Sequence, residues 1–236
     1  MPDFKDRVVL ITGATAGIGA ATAEAFAAAG AHLVLTGRTT AAGEELAGRL
    51  RAHGARAKFV TGDVSREESI RSWIAAAVGE FGRLDVAVNN AGVEGALGPV
   101  IEQTVDNFEH VFAINVRGLM LSLKHEIPVI AKQGGAIVNV SSMVGDIGMA
   151  GASVYVASKH AVNGLTRSAA LETARSGVRI NAISPGGVVT PMFQRFTGAT
   201  RKCRLGLRTR TPSAGWPGPR TSREPSSSWP AMMQAS

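Results

Sequence analysis

A doubly wound α/β fold, one parallel sheet with helices on both faces, is predicted by three features of the chain. Short apolar runs alternate with helical stretches of ten or more residues, a pattern that calls for right-handed crossovers between parallel strands. The runs are apolar almost throughout, as strands covered on both faces are. The 236 residues, 45% of them hydrophobic, are enough for one well-filled core.

In chain order, residues 7–12 (RVVLIT) read as a first strand that enters a Gly-rich turn, and an Ala-rich helix then runs to Ala29. Residues 32–36 read as strand, 41–53 as helix, 57–61 as strand, 67–81 as helix and 84–88 as strand. A long helical stretch covers about 103–132, followed by strand 136–140, helix 154–174 and a sixth strand at 178–183. No internal repeat of fixed period is visible.

The pattern stops near Gly198. In the last 36 residues Pro occurs five times and Ser six times, so residues 199–236 are expected to be a disordered tail on a domain spanning 1–198. Charge divides at the same place. Residues 201–236 carry seven Lys or Arg and one acid, whereas the first 200 hold 18 basic and 17 acidic residues. The pI of about 10.3 therefore belongs to the tail, and no nucleic-acid partner is expected for the body. The alternative is a nucleic-acid arm, although only Trp216 and Trp229 interleave its charges. No apolar run approaches the roughly 18 residues of a membrane span, and the N-terminus lacks a signal-peptide layout. The single Cys203 can make no internal disulfide, so a reducing cytoplasm is the expected location.

The chemistry is concentrated in a few short motifs. Tyr155-Val156-Ala157-Ser158-Lys159 puts a phenol and an ammonium one helical turn apart. A free Tyr, with a pKa of about 10, is a poor proton carrier at neutral pH, and a neighbouring cation is expected to lower that value. Thr12-Gly13-Ala14-Thr15-Ala16-Gly17-Ile18-Gly19 sits where the first strand turns into a helix. Glycines there let the backbone approach a pyrophosphate at the helix N-terminus; the alternative is a tight turn with incidental glycines. After the second strand comes Gly37-Arg38 rather than the acid that binds a ribose 2′-hydroxyl in NAD-preferring folds. A guanidinium at this point suits a 2′-phosphate, with a solvent-exposed Arg as the alternative.

Asp63 and Asn89-Asn90-Ala91-Gly92 follow the third and fourth strands, at the strand ends where open α/β sheets bind ligands. Asp63 is a candidate acceptor for an adenine amino group, and Asn90, Ala91 and Gly92 are candidates to line the adenosine ribose. Asn115 lies inside the long helix, where Asn is disfavoured unless it has hydrogen-bonding work to do. Ser142, thirteen residues before Tyr155, follows a strand and could donate to a carbonyl oxygen. Pro185-Gly186-Gly187-Val188-Val189-Thr190 leaves the sixth strand, and its backbone and Thr190 hydroxyl are candidates for a carboxamide and a nearby phosphate. No metal-ligand cluster stands out.

Taken in order, these motifs resemble the short-chain dehydrogenase/reductase family from residue 5 to about 197. The resemblance implies a Rossmann sheet in the order 3-2-1-4-5-6 with the cofactor at the switch point. It implies a cofactor site made by Gly13, Thr15, Gly17, Ile18, Gly19, Arg38, Asp63, Val64, Asn90, Ala91, Gly92, Tyr155, Lys159, Pro185, Gly186, Val188 and Thr190. NADP(H) is the preferred cofactor and NAD(H) the other. Tyr155 is implied to be the general acid in carbonyl reduction and the base in alcohol oxidation. Lys159 would lower its pKa and bind the nicotinamide ribose, Ser142 would hold the substrate oxygen, and Asn115 would anchor a relay water. Small and apolar residues in loops 93–100 and 143–153 fit a small or hydrophobic alcohol or ketone. Subunits of the family pair through the long helices near Asn115 and Tyr155, so a homodimer or homotetramer is expected.

The chain departs from the family after about residue 197. A further helix, a seventh strand and a Gly-rich C-terminal segment are expected there, and none is visible. Read one base earlier, with free choice of synonymous codons, residues 214–236 can spell GRMARPADIAGAVVFLASDDAS, which is family-like. Trp229-Pro230 forces Ala, and Met232-Met233-Gln234 forces Asp-Ala in that frame. The expectation is a reading-frame shift near residues 199–201, a sixth strand with an open edge and weakened association. A nucleotide-binding protein that performs no turnover is the alternative function.

Overall fold

The computed structural model describes residues 4–196; the tail at 199–236, with the frame-shift reading attached to it, lies outside them. Six strands, β1 (Val8–Thr12), β2 (His32–Gly37), β3 (Ala57–Thr61), β4 (Val86–Asn89), β5 (Gly135–Val140) and β6 (Val178–Ile183), form one sheet. All pair in parallel, in the order β3-β2-β1-β4-β5-β6. The helices are α1 (Gly17–Ala28), α2 (Thr40–Ala52), α3 (Glu67–Phe81), α4 (Val105–Phe112), α5 (Gly118–Ile130), α6 (Ser153–Glu172) and α7 (Pro191–Phe196). None of them is long and apolar enough to cross a membrane.

Strand alternation builds two cores. Val8 and Leu10 of β1 point into one together with Val34 and Ile137, and α3, α5 and α6 cover that face with Ile70, Trp73, Leu119 and Val162. Val9 and Ile11 point the other way with Leu33, Leu35 and Val88, beneath Ala23 of α1 and Leu46 and Leu50 of α2. Residues buried on both faces explain why the strands read as near-continuous apolar runs. β6 differs: Val178 and Ile180 are buried, whereas Arg179, Asn181 and Ile183 are exposed. Among the described residues it is an edge strand.

β1 pairs with β2 on one side and with β4 on the other, Thr12 lying opposite Asn89. The chain thus reverses its winding direction at β1, and the carboxyl ends of β1 and β4 border one crevice. The expected long helix is present with one change. Between α4 and α5, Ala113–Arg117 forms a turn of π-helix that contains Asn115. Helix α7 was not expected from the sequence.

The opposite end of the same strand pair is fixed by Asp85, whose side chain is 3% exposed. One carboxylate oxygen accepts from the Val8 backbone N–H at 2.9 Å and the other from Arg7 at 2.9 Å, and Arg83 adds a second guanidinium. Burial pushes this carboxyl up, but Arg83, the Val8 N–H and Arg7 together hold it below the ordinary Asp value of 3.8. Replacing Asp85 by Ala is expected to cost on the order of 2 kcal/mol, since both arginines are half in water. Because the folded pKa is depressed, that contribution is complete above about pH 4 and is lost as pH falls through the folded value. Urea midpoints of parent and Asp85→Ala proteins should therefore differ at pH 7 and converge in acid.

Candidate active site

The turn after β1 is shaped for close backbone approach. Gly13 has φ +63°, and a Cβ there would lie 2.9 Å from Ala91 Cα. One at Gly19 would lie 2.3 Å from the Gly13 carbonyl oxygen. Only hydrogen fits at either position. Helix α1 starts at Gly17 after Ala16, with no side-chain cap and no acid in its first turn. Its leading N–H groups are left for another acceptor, and the helix dipole favours an anion at that point. Thr15 and Ile18 flank this turn, both half-buried. The residues present fit a dinucleotide pyrophosphate.

Around this turn the predicted residues take three kinds of place. Thr15 Cγ2 would lie 3.0 Å from a Cβ at Gly37, so the end of β2 has no room for a side chain, and Arg38 beyond it is exposed. Asp63 is half-buried and Val64 buried. One Asp63 oxygen already accepts from the Ser65 N–H at 2.8 Å and hydroxyl at 2.7 Å. Burial raises the Asp63 pKa, but these bonds, with Arg38 and Arg66 nearby, bring it below 3.8 overall. The Asn90 amide is taken up by backbone carbonyls. It donates to the carbonyls of Thr12 at 3.0 Å and Gly13 at 2.9 Å, bracing the glycine turn. Ala91 faces Gly13, and Gly92 faces Asn115 Oδ1 and Lys159 Nζ, at 3.2 and 3.6 Å from an added Cβ. Ala91-Gly92 therefore joins the glycine turn to Asn115 and Lys159.

Tyr155 and Lys159 lie on the buried face of α6, 8% and 4% exposed. The Lys159 ammonium donates to the Val140 carbonyl at 2.8 Å and stands 5.7 Å from the Tyr155 ring centre. Burial, without a carboxylate partner, brings it down to about 8. Tyr155 departs from expectation: burial raises its pKa, the hydrogen bond with Ser142 opposes this, and Glu94 raises it further. The ammonium turned to Val140 does not reverse the balance. Ser142 also caps the short turn Met143–Gly145, its hydroxyl accepting from Val144 N–H at 3.4 Å.

Asn115 is 3% exposed, and its side chain is fully engaged: with both backbone groups of Val93, at 2.8 and 2.9 Å, and with the Ser158 hydroxyl at 3.0 Å. The π-turn aims it inward, and π-turns recur at functional sites. Ser158 passes the link on by donating to the Tyr155 carbonyl at 2.7 Å.

The loop after β6 reaches back to both halves of the site. The Pro185 carbonyl accepts from Met143 N–H at 3.0 Å, while Gly186 and Val188 are exposed. Thr190 Cγ2 comes within 3.0 Å of a Cβ built at Gly17, and its hydroxyl accepts from Phe193 N–H at 3.1 Å to start α7. Two contacts here were not foreseen. Phe196 packs edge-on to Tyr155 at 5.3 Å, and Arg195 forks onto Glu94, one arm at 3.2 Å. The only advance sign was the apolar spacing of Met192, Phe193 and Phe196. No cluster of metal-ligating side chains occurs among the described residues.

Known proteins share this fold. The family model described as "short chain dehydrogenase" matches residues 7–200. A 3beta-hydroxysteroid dehydrogenase of Mediterraneibacter gnavus is 39% identical over 205 residues, 87% of this chain and 74% of that one. Levodione reductase of Leifsonia aquatica is 41% identical over 194 residues, 81% of this chain and 73% of its own. A crystal structure of levodione reductase superposes with a TM-score of 0.79, covering 82% of this chain and 76% of that one. A short-chain dehydrogenase/reductase from Burkholderia phymatum in complex with NAD gives 0.78 at 34% identity, covering 81% and 69%. The chain belongs to the short-chain dehydrogenase/reductase family of NAD(P)-dependent oxidoreductases.

Proposed function

We propose that the protein interconverts a small alcohol and its carbonyl compound with NADP(H), NAD(H) serving less well. The carrying observation is the burial of Tyr155 and Lys159 on one face of α6, joined through Gly92 and Ala91 to the uncapped turn before α1. A bound nicotinamide supplies or accepts the hydride. In reduction, the Tyr155 O–H bond breaks and the proton goes to the substrate oxygen; in oxidation it returns. Burial that keeps Tyr155 a phenol leaves the acid form ready. The Ser142 hydroxyl, next to that phenol, holds the same oxygen. The Lys159 ammonium gives one N–H to Val140 and has two more for a ribose hydroxyl and a proton path. Its charge lowers the cost of a phenolate. Asn115 holds the Val93 loop against Ser158 and so sets the wall on which the pair rests.

The preference for NADP(H) rests on Arg38 at the exposed end of β2, where a 2′-hydroxyl-binding acid is missing. Exposed Val105 and Phe108 of α4 and Met120 of α5 favour subunit pairing through this helical face.

Tyr155→Phe should cut turnover by about 10²–10⁴-fold with cofactor affinity nearly unchanged, read by stopped-flow turnover and fluorescence titration of the reduced cofactor. Full activity in that variant would remove Tyr155 from the mechanism; cofactor binding without turnover in the parent, across a panel of ketones and alcohols, would favour a binding protein. Arg38→Ala should raise the KM for NADPH roughly 10–100-fold, the loss of a charge-assisted bond, and leave the KM for NADH almost unmoved. In sedimentation the parent should run as a dimer or tetramer and Met120→Glu as a smaller species.

A further inference from the structure

Beneath the crevice lies a polar cluster with no role in the scheme above. Glu126 of α5 is fully buried. One of its oxygens accepts from the Asn89 amide at 2.9 Å, and the same amide reaches Asn139 at 3.1 Å, which in turn donates to Thr166 at 2.9 Å. The second Glu126 oxygen, Asn89 Oδ1 and the Ser122 hydroxyl have no hydrogen-bond partner. Two of these three can only accept while Glu126 is ionised, against the single O–H of Ser122, so the cluster is one donor short. Protonating Glu126 supplies it. Ser122 is one helical turn before Glu126, on the same face.

This cluster adjoins the catalytic pair. A cavity of about 10 Å³ is lined by Asn89 and Ser122 together with Asn115 and Lys159. That is about the space one water needs, and the polar walls offer it several partners. Burial pushes the Glu126 carboxyl up to about 7, the bond from Asn89 opposing. On the elements packed against α5, Lys159 of α6 opens on the cavity, and Glu67 of α3 is engaged by Lys124 and His125.

We propose that Glu126 is a buried proton store for Lys159, reached through Ser122 and one water in this cavity. The proposal rests on the oxidoreductase reading for its use, not for its chemistry. After Tyr155 has given its proton to the substrate oxygen, Lys159 makes good the loss by breaking an N–H bond. The cavity water then protonates the amine, Ser122 protonates the water's oxygen, and the Glu126 carboxyl protonates Ser122, leaving a carboxylate. Solvent returns the proton along the same path once product has left. Oxidation runs each transfer backwards, with no net change beyond one proton exchanged with solvent. Glu126 touches no reacting atom and is a positioning residue.

Infrared titration of the cofactor-free protein tests the store without turnover. A protonated-carboxyl band lost in Glu126→Gln should titrate near neutrality, and its midpoint should rise in Lys159→Met, where the facing positive charge is gone. Glu126→Gln keeps the size and the bond from Asn89; Ser122→Ala breaks the path without touching the carboxyl, should the first variant not fold. With melting temperature and cofactor affinity held, either variant should slow reduction by roughly tenfold, less than the ~10²–10⁴ of the proton donor itself, and alter its pH profile and solvent isotope effect. A carboxyl that stays ionised throughout, a midpoint indifferent to Lys159→Met, or variants with the parent's pH profile would overturn the assignment. A parent without turnover would count against the oxidoreductase reading, and the titration would still decide on Glu126.

Discussion

Burying an ammonium without a carboxylate is the constraint around which this molecule is arranged. Taking a charge out of water is expensive unless something polar replaces the solvent. Here the replacement is the Val140 carbonyl at the end of β5, which is free to accept because the strand stops there. The position of Lys159 thus depends on where β5 ends and on α6 lying flat against β5 and β6. Tyr155 and Ser158 share that face, so the phenol, the ammonium and the Asn115 brace form one rigid unit.

A second constraint is backbone contact at the crevice. Gly13 lies on Ala91, Gly19 on the Gly13 carbonyl, and Gly92 on the side chains of Asn115 and Lys159. The Asn90 amide ties the two strand ends together from inside. Glycine in these places is a packing requirement as much as a conformational one. The turn keeps its shape because the walls behind it are already in contact.

Much of this was legible in the chain. Apolar runs covered on both faces gave the strands, and the six strand positions followed from alternation with helices, while their order came only with the family resemblance. What escaped depended on partners far away in sequence. Asn90 is a short polar residue at a strand end, and nothing local separates bracing a turn from lining a sugar. Tyr155 carries a cation at the right spacing, yet the direction of its pKa depends on burial and on the carbonyl that the cation chooses, neither of which spacing reveals. The interior place of Glu126 was written in the spacing of Leu119, Ser122, Leu123, Glu126 and Ile130, all buried on α5. Its neighbours Lys124 and His125 are exposed and half-buried, so the residue types around Glu126 do not mark which of the three turns inward. Asn115 was marked by its poor helix propensity, while the π-turn that aims it inward could not be read from residue types.

Helix α7 gives the site its ceiling. Phe196 rests edge-on against the Tyr155 ring, and the Arg195 fork anchors the same turn to Glu94, in the loop that leaves the crevice after β4. A substrate that presents its oxygen to the phenol must share that ring with Phe196 or take its place. The space beside the phenol is thereby bounded by a single turn of helix hung from two loops, whose side chains can change without disturbing the sheet or the buried Tyr155–Lys159 face beneath.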